Sequence, residues 1–117
     1  MDLEKRIPTP KSLYSHLKEE PSKTSSGTSY HGITLTASVN ELVNVLGEPT
    51  YEDNTGGDKV NFEWERETIT GNIFTVYDWK EGRAISKDEQ IEWHIGGFNS
   101  LDEMQAKEEI KAALKSL

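Results

Sequence analysis

Apolar and polar residues alternate along residues 60–65, which is the two-residue period of a strand with one buried face. Residues 73–80 are apolar at both parities, as expected of a central strand that is covered in part on both sides. A third strand with alternating polarity is predicted over residues 90–95. The pattern therefore predicts a three-stranded antiparallel meander as the centre of the fold.

Two helices are predicted, one before and one after these strands. Ser38 and Glu41 have the spacing of a capping box, and an apolar stripe at helical spacing follows them. Ser100 and Glu103 repeat this motif ahead of the last apolar stripe. The sequence therefore predicts an α+β domain over residues 33–117 with the order α-β-β-β-α.

The first part of the chain differs in composition from the rest. Residues 1–32 hold three of the four prolines and a run rich in Ser and Thr, which cannot bury enough apolar surface to offset the entropy of ordering. We predict a flexible N-terminal tail over 1–32. Residues 33–36 are read either as a short edge strand or as a lead-in to the first helix.

Composition and charge restrict the class of function. The chain has no cysteine, which excludes disulfides and zinc–thiolate sites, and its net charge is −8. An acidic domain is a poor partner for nucleic acid and suits a basic protein surface, although acidity also serves solubility alone. The sequence shows neither an apolar run of membrane-spanning length nor a signal-peptide pattern, so we expect a cytoplasmic protein.

One group of residues suggests chemistry. If antiparallel register brings Asp78, Glu92 and His94 together, two carboxylates and an imidazole could bind a divalent cation or transfer a proton, with Glu63 and Glu65 adding to that face. A solvated sheet face with ordinary ion pairs is the competing interpretation. The spacing matches no metal motif, so we predict no catalytic residue, no metal and no cofactor.

The aromatic residues suggest a binding surface instead. Trp64 and Trp93 share the parity of core residues, whereas Tyr77 and Trp79 lie on the second face of the central strand. If the helices cover only one face, the second face is an exposed aromatic patch rimmed by carboxylates, which is typical of a protein-binding surface. Cover by the second helix is the alternative. The predicted partner-binding residues are Tyr77, Trp79, Glu63, Glu65, Asp78, Glu92 and His94.

Three motifs carry a resemblance. LGEPT at residues 46–50, YDWK at 77–80 and EWHIGG at 92–97 resemble a set of small uncharacterised bacteriophage proteins in which similar motifs recur in the same order. The resemblance covers roughly residues 33–100 and implies a shared fold. The order of helix and strands also resembles, more distantly, the binding modules of β-lactamase inhibitors. Neither resemblance assigns a catalytic residue.

The leading functional hypothesis is a non-enzymatic phage or mobile-element protein in the cytoplasm of a bacterial host. It would bind and inhibit a host protein with a basic surface, such as a nucleic-acid-handling or defence factor, without contacting nucleic acid or membrane itself. One alternative is a small metal-dependent enzyme or ligand binder that uses Asp78, Glu92 and His94. Another is a self-associating structural accessory protein, since the sequence leaves the oligomeric state open.

Overall fold

The computed structural model describes residues 13–117 and shows an antiparallel sheet packed against two helices. Neither of these helices, within the described residues, is long and apolar enough to cross a membrane. The elements are a 3₁₀ helix Ser15–Lys18, β1 Ser29–Ala37, α1 Val39–Leu46, β2 Tyr51–Glu52, β3 Phe62–Glu67, β4 Ile73–Tyr77, β5 Ile91–Gly97 and α2 Ser100–Lys115.

The predicted three-stranded sheet is wrong, because the sheet has five strands in the order β1-β5-β4-β3-β2. The predicted meander corresponds to β3, β4 and β5, so the α+β class holds. At one edge the nine-residue β1 pairs with β5, with Leu35 opposite Trp93. A bulge between Tyr30 and Ile33 interrupts the alternation of β1, and Gly32 within it has a φ of +96°. The sequence pattern therefore indicated only the last part of this strand.

Residues 13–32 belong to the fold, which corrects the predicted flexible tail for this part of the chain. Leu17 of the 3₁₀ helix is fully buried and joins the hydrophobic core. Ser22 and Ser25 donate hydrogen bonds to carboxylates of β3. Residues 1–12 of the predicted tail lie outside the described residues.

The predicted N-cap of α1 is confirmed, whereas the N-cap of α2 lies one residue before the predicted position. The N–H of Glu41 donates to the hydroxyl of Ser38, and the N–H of Ser38 donates to the carboxylate of Glu41. In α2, however, the side chain of Asn99 accepts the N–H of Asp102, one residue before the predicted cap. The predicted capping partner, Glu103, is instead buried beneath the sheet.

The inner face of the sheet holds an aromatic core. Trp64 and Trp93 are both fully buried, as predicted, and their rings meet edge to face with centroids 5.5 Å apart. Each buried indole N–H has a backbone acceptor, the carbonyl of Gly47 at 2.8 Å and that of Ala37 at 2.9 Å. The tryptophans thereby join the strands to both ends of α1.

Arg66 closes this core next to the C-terminus of α1. Its buried guanidinium donates to the carbonyls of Leu46 and Glu48 and to the hydroxyl of Thr50, at 3.0, 2.7 and 3.1 Å. A cation is favourable at a helix C-terminus, where carbonyl groups lack partners within the helix. Burial lowers the pKa of Arg66 from its ordinary value.

Candidate functional site

The sheet face that points away from α1 and α2 is named here the open face. One cross-strand row on it runs through His94 of β5, Tyr77 of β4, Glu63 of β3 and Tyr51 of β2. Directly opposed residues of antiparallel strands point to the same side of a sheet. The register therefore brings together three of the predicted partner-binding residues, Glu63, Tyr77 and His94.

Four rings form a continuous aromatic cluster on the open face: Tyr30, Tyr77, Trp79 and His94. His94 stacks on Tyr30 with centroids 4.0 Å apart and meets the edge of Tyr77 at 5.5 Å. Trp79 lies 6.1 Å from Tyr77 and 6.5 Å from His94. The rings support one another laterally, so the cluster presents a pre-organised surface on which Trp79 stays 40% exposed.

Two lysines flank the outer member of this cluster. The Nζ atoms of Lys59 and Lys80 lie 5.9 and 5.4 Å from the centre of the Trp79 ring. An ammonium group at this distance is attracted by the negative face of the ring. Trp79 therefore already attracts cations from its own chain, and the open face is not uniformly acidic.

Beside the aromatic cluster lies a depression of about 260 Å³, named here the Glu63 slot. One wall is formed by strands β3 to β5 and the aromatic cluster, and the other by the segment 25–29, which precedes and begins β1. The residues that line it are Ser25, Thr28, Ser29, Val60, Glu63, Thr75, Tyr77, Trp79 and Gly96.

The carboxylate of Glu63 differs from those of its neighbours on β3. Glu65 accepts the hydroxyl of Ser25 at 2.7 Å and Glu67 accepts that of Ser22 at 2.8 Å. Among residues 13–117, no side chain or backbone group forms a hydrogen bond or an ion pair with the Glu63 carboxylate. Partial burial and the neighbouring charge of Glu65 raise its pKa. Glu63 is therefore a partly desolvated anion without a counter-charge.

Tyr77 lies directly opposite Glu63 in the sheet. Burial raises the pKa of Tyr77, and the charge of Glu63 adds to the effect. Tyr77 therefore remains a neutral phenol at physiological pH and supplies ring surface and a hydroxyl to the slot. It is poorly suited to act as a base.

Asp78, also predicted in the binding set, lies on the opposite side of the sheet from Glu92 and His94. Its fully buried carboxylate accepts the backbone N–H groups of Asn61 and Phe62 at 2.9 and 2.8 Å, and the Asn61 amide at 3.0 Å. Asp78 thus fixes the loop that leads into β3 and does not belong to the open face.

The proposed constellation of Asp78, Glu92 and His94 is therefore not assembled. Glu92 is exposed on the open face, while His94 is engaged with the aromatic cluster. The described part of the chain contains no group of three or more His, Asp or Glu side chains placed to hold a metal ion. The open face offers ring faces and carboxylates for contact, and at the edge of the Glu63 slot the hydroxyl of Ser29 lies 3.4 Å from Nε2 of His31.

Several residues of the open face were not predicted from the sequence. Tyr30 precedes a bulge, so strand parity counted from Ile33 does not extend to it. The segment 25–29 carries only polar residues and glycine, and its position depends on contacts with β3. Lys59 and Lys80 flank predicted strands that carry aromatic residues. This proximity in sequence is the signal from which their contact with an aromatic ring could have been predicted.

A further titratable pair lies on the helix side of β1, with one member buried and the other partly exposed. His31 contacts the carboxylate of Glu103, which is fully buried in the first turn of α2. The second oxygen of Glu103 has no hydrogen-bond partner among the described residues. This pair joins the bulge of β1 to α2, and Nε2 of His31 lies 3.4 Å from the hydroxyl of Ser29, which lines the Glu63 slot.

The resemblance of residues 46–50, 77–80 and 92–97 to bacteriophage proteins stays a prediction. Comparisons of the chain with protein-family models, with curated proteins and with solved structures find no match.

Proposed function

We propose that this protein is a non-enzymatic binding protein that occupies a basic surface of a partner protein with its open face. The observation that carries the proposal is the pre-organised aromatic cluster with Trp79 exposed at its rim, next to the unpaired carboxylate of Glu63. Exposed, rigid aromatic rings are the usual anchors of protein interfaces, because they bury large area at low entropic cost.

The charge of the surroundings favours a basic protein over nucleic acid as the partner. The open face carries four glutamates, against the two lysines that flank Trp79, and the whole chain has a net charge of −8. Phosphate groups would be repelled by this field, whereas a surface rich in arginine and lysine would be attracted to it. The four glutamates are Glu63, Glu65, Glu67 and Glu92.

The resemblance to bacteriophage proteins suggests that the partner is a protein of a bacterial host. A protein that covers a basic groove with an acidic aromatic face would inhibit by occupation, since the natural ligand of the groove could not enter. A nucleic-acid-handling or defence factor has such a groove. The proposed place of action is the cytoplasm of the host.

The test is capture of host proteins by the immobilised full-length chain at low and at high salt. We expect one partner in equimolar amount that is released at high salt, because screening weakens the attraction between the two surfaces. Trp79→Ala should abolish capture by removing the exposed anchor. The captured protein should also lose its own activity when the chain is added.

A matched control separates the open face from general stickiness. Leu101 is 76% exposed on α2, on the other side of the molecule, so Leu101→Ala should leave capture unchanged. Equal loss in both variants, or capture that is insensitive to salt, would contradict the proposal.

A second candidate function is self-association, which the free edge of the sheet favours. The outer side of β1 has no backbone hydrogen bond to another described segment, and nine residues form this edge. Such an edge can pair with the same strand of a second copy. Sedimentation equilibrium over a range of concentrations tests this candidate, and a monomer throughout would contradict it.

A further inference from the structure

We infer that the Glu63 slot is a receptor for one arginine side chain of the partner protein. The inference rests on the proposed function and adds to it the chemistry by which the partner is recognised. The site lies between the strands β3 to β5, with Trp79 beside them, and the segment 25–29.

Glu63 carries a charge that no described residue pairs. Its pKa is raised because the carboxylate loses water to burial and stands near Glu65, and no described group compensates for this. A partly buried anion is costly until a cation reaches it. A guanidinium group would compensate for the cost with two parallel hydrogen bonds to the carboxylate.

The walls of the slot have the composition that a guanidinium group requires. The ring of Tyr77 and that of Trp79 line one side of the slot and offer faces on which a planar guanidinium can stack. The other lining groups include four hydroxyls, which can accept the remaining guanidinium N–H donors. These hydroxyls belong to Ser25, Thr28, Ser29 and Thr75.

The slot favours arginine over lysine. An ammonium group is a compact point charge that interacts well with a ring face, and the chain already places Lys59 and Lys80 at Trp79. The slot requires a flat group that reaches a carboxylate and hydroxyls at the same time, with two aromatic rings beside it. Only the guanidinium has donors in that fork-like arrangement.

The experiment titrates the full-length chain with N-acetyl-arginine methylamide and follows the ¹H–¹⁵N spectrum. The indole N–H groups of Trp64 and Trp93 are hydrogen-bonded in the core, so the Trp79 indole signal reports on the slot. We expect saturable shifts at Trp79, Thr75 and Gly96 with an affinity on the order of millimolar, because a single side chain supplies few contacts. The lysine analogue should bind several-fold more weakly, and the uncharged citrulline analogue should not bind.

Two single substitutions test whether the Glu63 carboxylate supplies the binding energy. Glu63→Gln keeps the shape of the side chain and removes the charge, so it should weaken binding about tenfold or more. Glu67→Gln is the matched control on the same strand and face, because the Glu67 carboxylate accepts the hydroxyl of Ser22 and neither residue lines the slot. It should change the affinity less than about twofold.

A third variant tests the role of the two lysines. Replacing Lys59 and Lys80 together with Gln removes two positive charges that repel an incoming guanidinium and compete for the Trp79 ring. We expect this variant to bind the arginine probe several-fold more tightly. Dispersed amide signals in all variants would show that the fold is retained.

The outcomes distinguish this inference from the proposed function. If Trp79→Ala abolishes capture of the host protein while Glu63→Gln affects neither capture nor the arginine titration, the open face is the interface and the arginine receptor is wrong. Equal shifts with arginine and lysine, spread over all acidic regions, would also overturn the inference. Self-association that is lost in Glu63→Gln would assign the slot to an arginine of a second copy and overturn the inference as well. Arginine binding that depends on Glu63, with no host protein captured, would support the receptor and count against the proposed function.

Discussion

At the scale of single residues, Glu63 is placed where its charge opposes folding. Its carboxylate is partly buried and near Glu65, and the described part of the chain supplies it with no counter-charge. Functional sites commonly keep residues that cost stability in this way. The same features that make Glu63 costly in the free protein make it a favourable contact for a cation.

Glu63→Gln is expected to stabilise the free protein at neutral pH by less than about 1 kcal/mol, since solvent still screens the partly exposed carboxylate. A carboxyl whose pKa is raised by folding favours the folded state while it is protonated and loses that contribution as the pH rises through the folded pKa. The gain from Gln should therefore disappear below pH 4.5, the ordinary value for glutamate. Urea unfolding at pH 7 and at pH 4 measures the gain in stability and its loss. A Glu63→Gln variant that is less stable than the unsubstituted protein at pH 7 would contradict this prediction.

Asp78 shows how far strand parity alone can assign residues. The alternation of β4 already places Asp78 on the side of Phe74 and Val76, which is the core side, whereas His94 lies opposite Tyr77. The sequence therefore contained the reason why Asp78 cannot join Glu92 and His94. What it did not contain was the partner of Asp78, because the loop before β3 reaches it only in the folded state.

At the scale of elements, the loop between β2 and β3 is held in place by Asp78. Its carboxylate accepts hydrogen bonds from Asn61 and Phe62, and the amide of Asn61 also donates to the carbonyl of Arg83 in the loop after β4. The residue that follows Asp78 is Trp79. The buried carboxylate thus sets the position from which the exposed anchor leaves the sheet.

Asp78→Ala should destabilise the protein by about 3 kcal/mol, because it leaves several buried N–H groups without an acceptor. The Trp79 signal should also broaden or shift, since the loop that supports it is released. Thermal unfolding and the ¹H–¹⁵N spectrum measure these two effects. Asp58→Ala, in the same loop but exposed, is the control and should cost less than about 0.5 kcal/mol.

The 3₁₀ helix is short but contributes to the hydrophobic core. It has four residues and contributes one fully buried side chain, Leu17, to the core between α1 and β3. Its single buried leucine lies in a stretch rich in charge and proline. Composition therefore indicated a tail, while one residue was enough to attach the segment.

Leu17→Ala is expected to cost about 2–5 kcal/mol, the range for removing a buried leucine and leaving a cavity. Leu13 lies just before the same helix and is 51% exposed, so Leu13→Ala should have little effect. Denaturant unfolding of both variants measures the difference. Equal stabilities would mean that the segment is not part of the cooperative unit.

β1 shows why only part of the sheet could be predicted from the sequence. Leu35 and Ala37 alternate with polar residues, but the first residues of the strand are Ser, Tyr, His and Gly, and a bulge shifts their parity. Pairing with β5, rather than local propensity, makes this segment a strand. The open face could be predicted from β3 to β5, whereas its wall at 25–29 could not.

At the scale of the whole molecule, the sheet depends on residues that lie far apart in the chain. A chain that begins at residue 33 lacks Leu17, the first part of β1 and the wall of the Glu63 slot. We expect it to unfold with low cooperativity and not to bind the arginine probe. A chain that begins at residue 13 is the control, because it keeps every contact described above, and it should unfold cooperatively in calorimetry and bind the arginine probe.

The position of β1 in the sheet also has a kinetic consequence. The hairpin of β3 and β4 is local and can close early, but β1 pairs only with β5, which is synthesised after both of them. Contacts so distant in sequence slow folding, since the connecting chain must be ordered before they form. Until β5 exists, β1 is an unpaired strand that contains no Lys, Arg, Asp, Glu or Pro, the residues that usually prevent edge-to-edge association. The interval between the synthesis of these two strands is therefore the period in which the nascent protein is most exposed to aggregation.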